Sequence, residues 1–345
     1  MIDNDQKTKL RYDYVPVLIP TLNRYNHLKE CIESLEKCLY ANETEIFISV
    51  DYPPDCNYSE GHSKVTEYLK TKDFSCFKDV HLFFQERNLG AYDNLYFLEE
   101  KMPYEDQWFI LLEDDVVVSK GYLAFVNNAI IRFADDENFA GVCGYNCLRT
   151  ALDTQRWYKG KNLSYGSALN LSVINMVKED ASVLYQKPIR LTDFVELLNF
   201  SPIDARVYMD YFIYKPKLYF DRNYNIAPID YVIHNVLFFR EKYVVTPTIS
   251  MVRNMGNDGT GLHSDYDSKL SEFEKAKEID DSLCFDFSSG SCIERKKLAL
   301  TQKTVKTIKS DFENTIQAVT KYMLISIVGE DELRKYITNK SKRKK

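Results

Sequence analysis

The chain has 345 residues, 45% of them hydrophobic, enough for one large domain or two smaller ones with buried cores. Its 51 acidic against 45 basic residues leave a net charge of −6, so no global basic surface points to nucleic acid as a partner. No run of about 18 apolar residues occurs, so no membrane-spanning helix is expected, and the polar stretch Met1 to Leu10 has no signal-peptide pattern.

The first half alternates strands and helices. Val15 to Ile19 reads as a buried strand ending at Pro20, followed by Leu28, Cys31, Ile32 and Leu35 at helical spacing. Ile46 to Val50 is a second strand, residues 65–71 a helix, and Val80 to Phe84 a third strand. Gly90 to Met102 reads as a helix, and Trp108 to Leu112 as a fourth strand running straight into Glu113-Asp114-Asp115. Residues 120–133 read as a helix and Phe139 to Cys143 as a strand. Residues 145–168 read as a long loop holding Arg156, Trp157 and Tyr165, and loops of that length are usually functional or disordered. Beyond it the chain becomes more helical. Residues 229–240 read as a helix, Tyr243 to Thr246 as a strand and Asn254 to Gly261 as a Gly-rich turn. Residues 294–328 read as one or two amphipathic helices, with Leu298, Val305, Ile308, Phe312, Ile316, Val319 and Met323 at helical spacing.

Strands separated by single helices predict right-handed βαβ units. The expected fold class is therefore α/β, a mainly parallel central sheet flanked by helices, with a helical C-terminal extension. Ligands in such folds bind outside the carboxyl ends of the strands. That rule points to Asn23 and Arg24 after the first strand and Asp51 after the second. It points to Arg87 and Asn88 after the third and to Glu113–Asp115 after the fourth. The eight cysteines read as free thiols in a reducing cytoplasm. Cys31 and Cys38, seven apart on one helical face, are too far along the axis to bridge, and Cys143 and Cys147 lack zinc-knuckle spacing.

Three adjacent acids are usually a solvated turn, but these interrupt an apolar stretch, Trp108 to Leu112 and Val116 to Val118. Buried carboxylates need partners, and a divalent cation is one; oxygen ligands favour Mg²⁺ or Mn²⁺ over zinc. A ligand on which negative charge grows during reaction would give such a cation a purpose.

At this point the residues match a known family. Val15-Pro16-Val17-Leu18-Ile19-Pro20-Thr21-Leu22-Asn23-Arg24 resembles the opening strand and loop of GT-A glycosyltransferases, a Rossmann-like fold. Glu113-Asp114-Asp115 is similar to their DXD-type motif, in the EDD form of the N-acetylglucosaminyltransferase I group and its bacterial relatives. Ser164-Tyr165-Gly166-Ser167 resembles a loop that closes over the donor. Arg253 to His263 is similar to a bacterial Asn-Ile-Gly-x-Asp-Gly-Ser-Gly-x-His segment. The resemblance spans roughly residues 14–265. It implies a catalytic domain over 1–265, with a nucleotide-binding half at about 14–145 and an acceptor half at about 146–265. Residues 266–345 would be the extension.

The resemblance also implies roles. Asp115 would ligate the metal, with His263 as a second metal or diphosphate contact. Thr21, Asn23, Arg24, Asp51, Arg87, Glu113 and Asp114 would line the nucleotide, with Asp51 at the base and Arg24 near the diphosphate. Tyr165, Gly166 and Gly259 would belong to the sugar and acceptor loops. Asp51 before Tyr52-Pro53-Pro54 could equally open a turn, and Arg24 could sit at a helix start. The implied activity is inverting transfer from a nucleotide-diphosphate sugar to a hydroxyl of a glycan or lipid-linked glycan. The donor would be UDP-GlcNAc, UDP-GalNAc, UDP-Gal or UDP-Glc, and the setting bacterial surface polysaccharide synthesis. Such a transfer needs a carboxylate base. Counting back from Asn254-Met255-Gly256 lands on Asp230, with Ile229 where the family has Trp; Asp204 and Asp210 are the other candidates, and Asp230 could equally cap a helix.

The terminus Lys340-Ser341-Lys342-Arg343-Lys344-Lys345 leaves three fates for the extension: packing on the catalytic domain, a homodimer contact, or peripheral contact with an anionic membrane face. Other functions fit less well. A sugar-nucleotide nucleotidyltransferase opens with a Gly-rich loop where this chain has Pro20 to Arg24. A dinucleotide-binding dehydrogenase needs a GxGxxG that is absent. A non-catalytic glycan-binding relative would not need the acidic triplet.

Overall fold

The computed structural model describes residues 14–102, 107–146, 156–161, 163–185, 189–214, 229–260, 272, 274–275, 279–288, 305–329 and 332. The chain divides into two compact units, each built from two segments: Met1–Ile174 with Tyr243–Leu298, and Asn175–Lys242 with Ala299–Lys345. These divisions fall elsewhere than the boundaries expected after 145 and 265.

The first unit is an α/β sheet structure. It opens β1 (Val17–Thr21), α1 (Tyr25–Leu35), β2 (Glu45–Val50), α2 (Ser59–Thr71), β3 (Asp79–Phe84), α3 (Ala91–Glu99), β4 (Trp108–Leu111) and β5 (Val116–Val118). It continues with α4 (Tyr122–Phe133), β6 (Phe139–Cys143), β7 (Trp157–Gly160), β8 (Ser167–Asn170), β9 (Tyr243–Pro247) and β10 (Val252–Asn254). The main sheet runs β3-β2-β1-β4-β8-β6-β9-β7. The β3-β2-β1-β4 half is wholly parallel, as βαβ crossovers require. β1 is buried on both faces, so it reads as a continuous apolar run rather than an alternation. Leu18 and Ile19 in β1, Ile46 and Ile48 in β2, and Phe109 in β4 are fully buried, each contributing about 1.5–3 kcal/mol of apolar transfer.

Pro20 sits in this central strand without breaking it. The last ladder bond to β4 runs from Leu112 N to Leu18 O, so the missing Pro20 N–H falls past the end of that pairing. β1 and β4 part there, at the carboxyl ends where the polar loops begin.

The expected strands are present within two residues of their predicted bounds. α2 begins six residues earlier than predicted. Its first turns, Ser59 to Lys64, carry no apolar residue to signal them, and only Val65 and Leu69 are buried. Cys38 lies beyond the end of α1 at Leu35, so it does not share a helical face with Cys31; both are free thiols, as are Cys56, Cys76, Cys143 and Cys284.

The reading of residues 145–168 as a loop is corrected. β8 enters antiparallel between β4 and β6, and β7 pairs antiparallel with β9 at the sheet edge. Both are four residues long, and tertiary pairing rather than local pattern makes them strands. β5 and β10 form a separate two-stranded ribbon, Val116 opposite Asn254.

The second unit is helical: most of α5 (Leu171–Leu184), then α6 (Leu191–Phe200), α7 (Pro202–Tyr214), α8 (Ile229–Phe239) and α9 (Val305–Val328). Its own core contains Val177, Leu197, Ala205, Phe212, Val236 and Ala318. Residues 305–328 form one continuous helix; residues 294–304 of the expected helical stretch lie outside the described residues.

Candidate functional site

The carboxyl ends of β1 and β4 meet through side chains. Thr21 Oγ1 donates to Asp114 Oδ2 at 2.7 Å, and Arg24 Nη1 donates to Asp115 Oδ2 at 2.6 Å. The other Arg24 nitrogen, Nη2, bonds Asp114 Oδ1. One guanidinium thus spans two adjacent acids from a position just before α1, and its planar fork suits that geometry. Asp114 and Asp115 are buried, whereas Glu113 is exposed. Cys31, buried on α1, places its Sγ 3.8 Å from the Glu113 carbonyl oxygen.

The electrostatics are those of two desolvated acids sharing one cation. Burial pushes the Asp114 carboxyl above its usual range; Arg24 opposes the rise, Asp115 adds to it, and the Thr21 hydrogen bond opposes it. Burial also works against the Arg24 charge, but Asp114 and Asp115 outweigh it and the guanidinium holds its proton more tightly than usual. Both Asp114 oxygens are engaged. Asp115 Oδ1 is buried with no hydrogen-bond partner.

The carboxyl ends of β2 and β3 are tied differently. Asp51 N donates to Thr21 O at 2.9 Å, so Asp51 lies one strand over from Thr21 and two from the acid pair. Its side chain is 3% exposed and accepts from Tyr52 N, Leu89 N and Gly90 N, each at 2.8 Å, and from Asn88 Nδ2 at 3.2 Å. Both oxygens hold the loop that leads into α3. Asn94 on α3, not singled out from sequence, reinforces this corner by donating to Ser49 O at 3.1 Å. Asn23 is half-buried, and Arg87 is exposed beyond β3.

A third wall comes from far along the chain. The β5–β10 ribbon lays Asn254 beside Val116, and Met255 N donates to Asp115 O at 2.8 Å. Gly256 follows directly over the acid: a Cβ there would lie 2.0 Å from Asp115 Oδ2. The backbone of this glycine thus lies close against the carboxylate. The turn continues through exposed Gly259, and α1 ties it down, with His27 Nε2 2.9 Å from Asp258 Oδ2. Burial raises the Asp258 carboxyl, but hydrogen bonds from Thr260 and His27 outweigh it and hold it at about 2.

Gly166 immediately precedes β8, beside the end of β4, with φ of 61°, and a Cβ there would meet Val252 Cγ1 at 2.9 Å. The Tyr165 ring packs edge-on against Tyr145, centroids 5.1 Å apart. Tyr145 donates to Glu274 Oε1 at 2.7 Å, and Glu274 Oε2 accepts from Asn254 N at 3.4 Å. Glu274 is 1% exposed, a buried acid in a polar stretch that no local pattern marks.

The structure therefore brings together Thr21, Arg24, Asp114, Asp115 and the Gly256 turn. His263 lies outside the described residues. Asp230 is in the first turn of α8, in the second unit, and its side chain is outside the described set. Of the other base candidates, Asp204 is buried and lies 3.2 Å from His234 Nδ1, and Asp210 accepts from Lys321.

Among the described residues no group of three or more His, Cys, Asp or Glu side chains is placed to hold a metal ion. The Asp115 oxygen without a partner is a hard donor of the type Mg²⁺ and Mn²⁺ select. One carboxylate completed by substrate phosphates and water is an ordinary Mg²⁺ arrangement, so the residues fit a substrate-borne cation better than an all-protein cage.

No protein-family model matches the chain, and no curated protein matches it. Solved structures do. TarS 1-349 of S. aureus in complex with UDP-GlcNAc is 15% identical with a TM-score of 0.32, over 48% of this chain and 47% of that one. The mannosyltransferase PcManGT from Pyrobaculum calidifontis, in complex with GDP-Man and Mn²⁺, is 15% identical with a TM-score of 0.34, over 48% and 46%. The chain spans less than half the length of each.

Proposed function

We propose that the chain is a glycosyltransferase using a nucleotide-diphosphate sugar, with its donor site at the carboxyl ends of β1, β2 and β4. The observation that supports this most is the cluster of Thr21, Arg24, Asp114 and Asp115 around one buried carboxylate oxygen without a partner. Buried, paired charges at parallel-strand ends are costly for stability and suit a ligand that brings charge of its own.

In this reading Asp115 would hold a divalent cation, which would supply Lewis-acid stabilisation of the departing diphosphate. Arg24 gives the same diphosphate a fixed positive charge, and Asp114 with Thr21 keeps that guanidinium oriented. Asp51 shapes the nucleoside end by fixing the Asn88–Gly90 loop. The Gly256 turn and Tyr165 border the place where the sugar would lie. An acceptor hydroxyl attacks the anomeric carbon, a new C–O bond forms, and the sugar–phosphate bond breaks with its electron pair leaving on the diphosphate. The hydroxyl proton passes to a carboxylate, which we assign to Asp230 on the sequence correspondence; inversion follows from a single displacement. A UDP-sugar is the proposed donor and a glycan of a bacterial surface polymer the proposed acceptor.

The test is a panel of nucleotide sugars with Mn²⁺ or Mg²⁺, scored for nucleotide release with and without glycan acceptors. Metal-dependent release from at least one donor is the expected result. A chain that neither binds nor cleaves any nucleotide sugar under these conditions is not this enzyme.

A further inference from the structure

The described residues include thirteen exposed large hydrophobic side chains, and six of them lie on α9: Phe312, Ile316, Met323, Leu324, Ile327 and Val328. At 3.6 residues per turn, Phe312, Ile316, Met323 and Ile327 fall within about 60° of one another along roughly 22 Å of helix. Ile327 is 75% exposed and Phe312 64%. The other side of the helix is already used. Ala318 is fully buried, Tyr322 and Ile325 pack on the helical core, Tyr322 stacks on Phe194 of α6, and Lys321 pairs with Asp210 of α7; Val319, at the edge next to Phe312, packs on that core too and bounds the exposed stripe. α9 is therefore apolar on two sides, and packing within its unit accounts for one. Leu191 and Val195, flanking Phe194 on α6, are exposed as well. Contiguous apolar surface of this kind marks a docking face rather than ordinary surface.

We propose that this face of α9 binds an anionic lipid surface. Charge decides the occupant. The chain beyond α9 carries Arg334, Lys335, Lys340, Lys342, Arg343, Lys344 and Lys345 against Glu330, Asp331 and Glu332. Anionic headgroups attract such a basic run, whereas two copies packed in parallel along this face would set the runs against each other. The apolar stripe enters the acyl boundary and the basic run stays among the headgroups, the division of labour of interfacial helices. No helix among the described residues is long and apolar enough to cross a membrane, so the contact is peripheral. The inference does not depend on the donor-site reading.

The test sediments the full chain with vesicles of phosphatidylcholine, with and without phosphatidylglycerol. The chain should pellet with the anionic vesicles, at least about tenfold less with neutral ones, and be released by salt. The variant Ile316→Ser/Ile327→Ser should lose more than about tenfold in partitioning, as should Lys342→Gln/Arg343→Gln/Lys344→Gln/Lys345→Gln, which leaves the helix untouched. Helical content by circular dichroism should match the wild type in both. Absence of binding to anionic vesicles, or wild-type binding by both variants, overturns the proposal. So does a lipid-free dimer in sedimentation equilibrium that Ile316→Ser/Ile327→Ser converts to monomer, which would give the face to a second copy.

Discussion

In the first unit the acids go inward: Asp51 and Asp114 are 3% exposed, Asp115 6% and Glu274 1%. In the second unit the apolar groups come outward, with nine of the thirteen exposed large hydrophobic residues among those described. Each arrangement departs from what stability alone would select. Buried carboxylates must be compensated by pairing, and exposed Phe and Ile forgo the transfer free energy they could have gained. Departures of this sort concentrate where a molecule meets something else. Their opposite signs match the two proposals: a small charged molecule at the strand ends of the first unit and an anionic lipid surface at the second.

The comparison is tested hardest at Asp115. Asp115→Ala should lower metal-dependent transfer by about 10²–10³-fold, the scale for removing one group that stabilises developing charge. Thermal stability should be kept or slightly raised, because a buried like charge beside Asp114 is gone. A variant that transfers normally but melts early would make the acid pair a structural ion cluster and erase the contrast.

Gly256→Ala is the next largest. Its Cβ would sit 2.0 Å from Asp115 Oδ2 and 2.8 Å from Cγ, so the carboxylate or the turn must move. We expect a loss of about 1–3 kcal/mol in unfolding free energy. Transfer should fall by more than about tenfold, since displacements of about 1 Å at a reacting centre cost up to 10². Unchanged kinetics would mean that the turn is not part of the site.

Half of this site was legible in the sequence, and the reason is locality. β1, β2 and β4 are continuous apolar runs, so the polar residues that end them were easy to place at strand ends. Thr21, Arg24, Asp114 and Asp115 follow from that placement. Long-range pairing was not legible. Nothing near His27 announces Asp258, 231 positions on, and Val116–Val118 did not advertise their ribbon with Val252–Asn254. Asp51 was placed at the right strand end, but its engagement depends on two backbone N–H groups of the Asn88–Gly90 loop, which carry no side-chain signature. β7 and β8 escaped because Trp-Tyr-Lys-Gly and Ser-Ala-Leu-Asn have neither length nor alternation.

The contrast within α9 can be sharpened on one helix. Ala318 is fully buried on the packed side, so Ala318→Leu should overpack the helical core and cost about 1–3 kcal/mol. Ile327→Ser on the exposed side should change stability by no more than about 0.5 kcal/mol. Equal costs in chemical denaturation would mean that the exposed face is structural after all.

The smallest effect concerns the turn over Asp115 and is read by pH. Asp258 has a folded-state value of about 2, below the usual 3.8. A depressed carboxylate contributes stability that is fully present above its unfolded value and is lost as pH falls through the folded one. The window is therefore about pH 4 down to 2. The full shift would be worth roughly 2.4 kcal/mol, but the side chain is 35% exposed and screening reduces this to about 1. Asp258→Asn should lower unfolding free energy at neutral pH by about that amount and flatten this part of the acid-destabilisation curve. A curve that keeps the wild-type slope between pH 4 and 2 would show that the tie from α1 to the turn carries no measurable free energy, leaving the turn held over the acid by the β5–β10 ribbon and the Met255 hydrogen bond to Asp115.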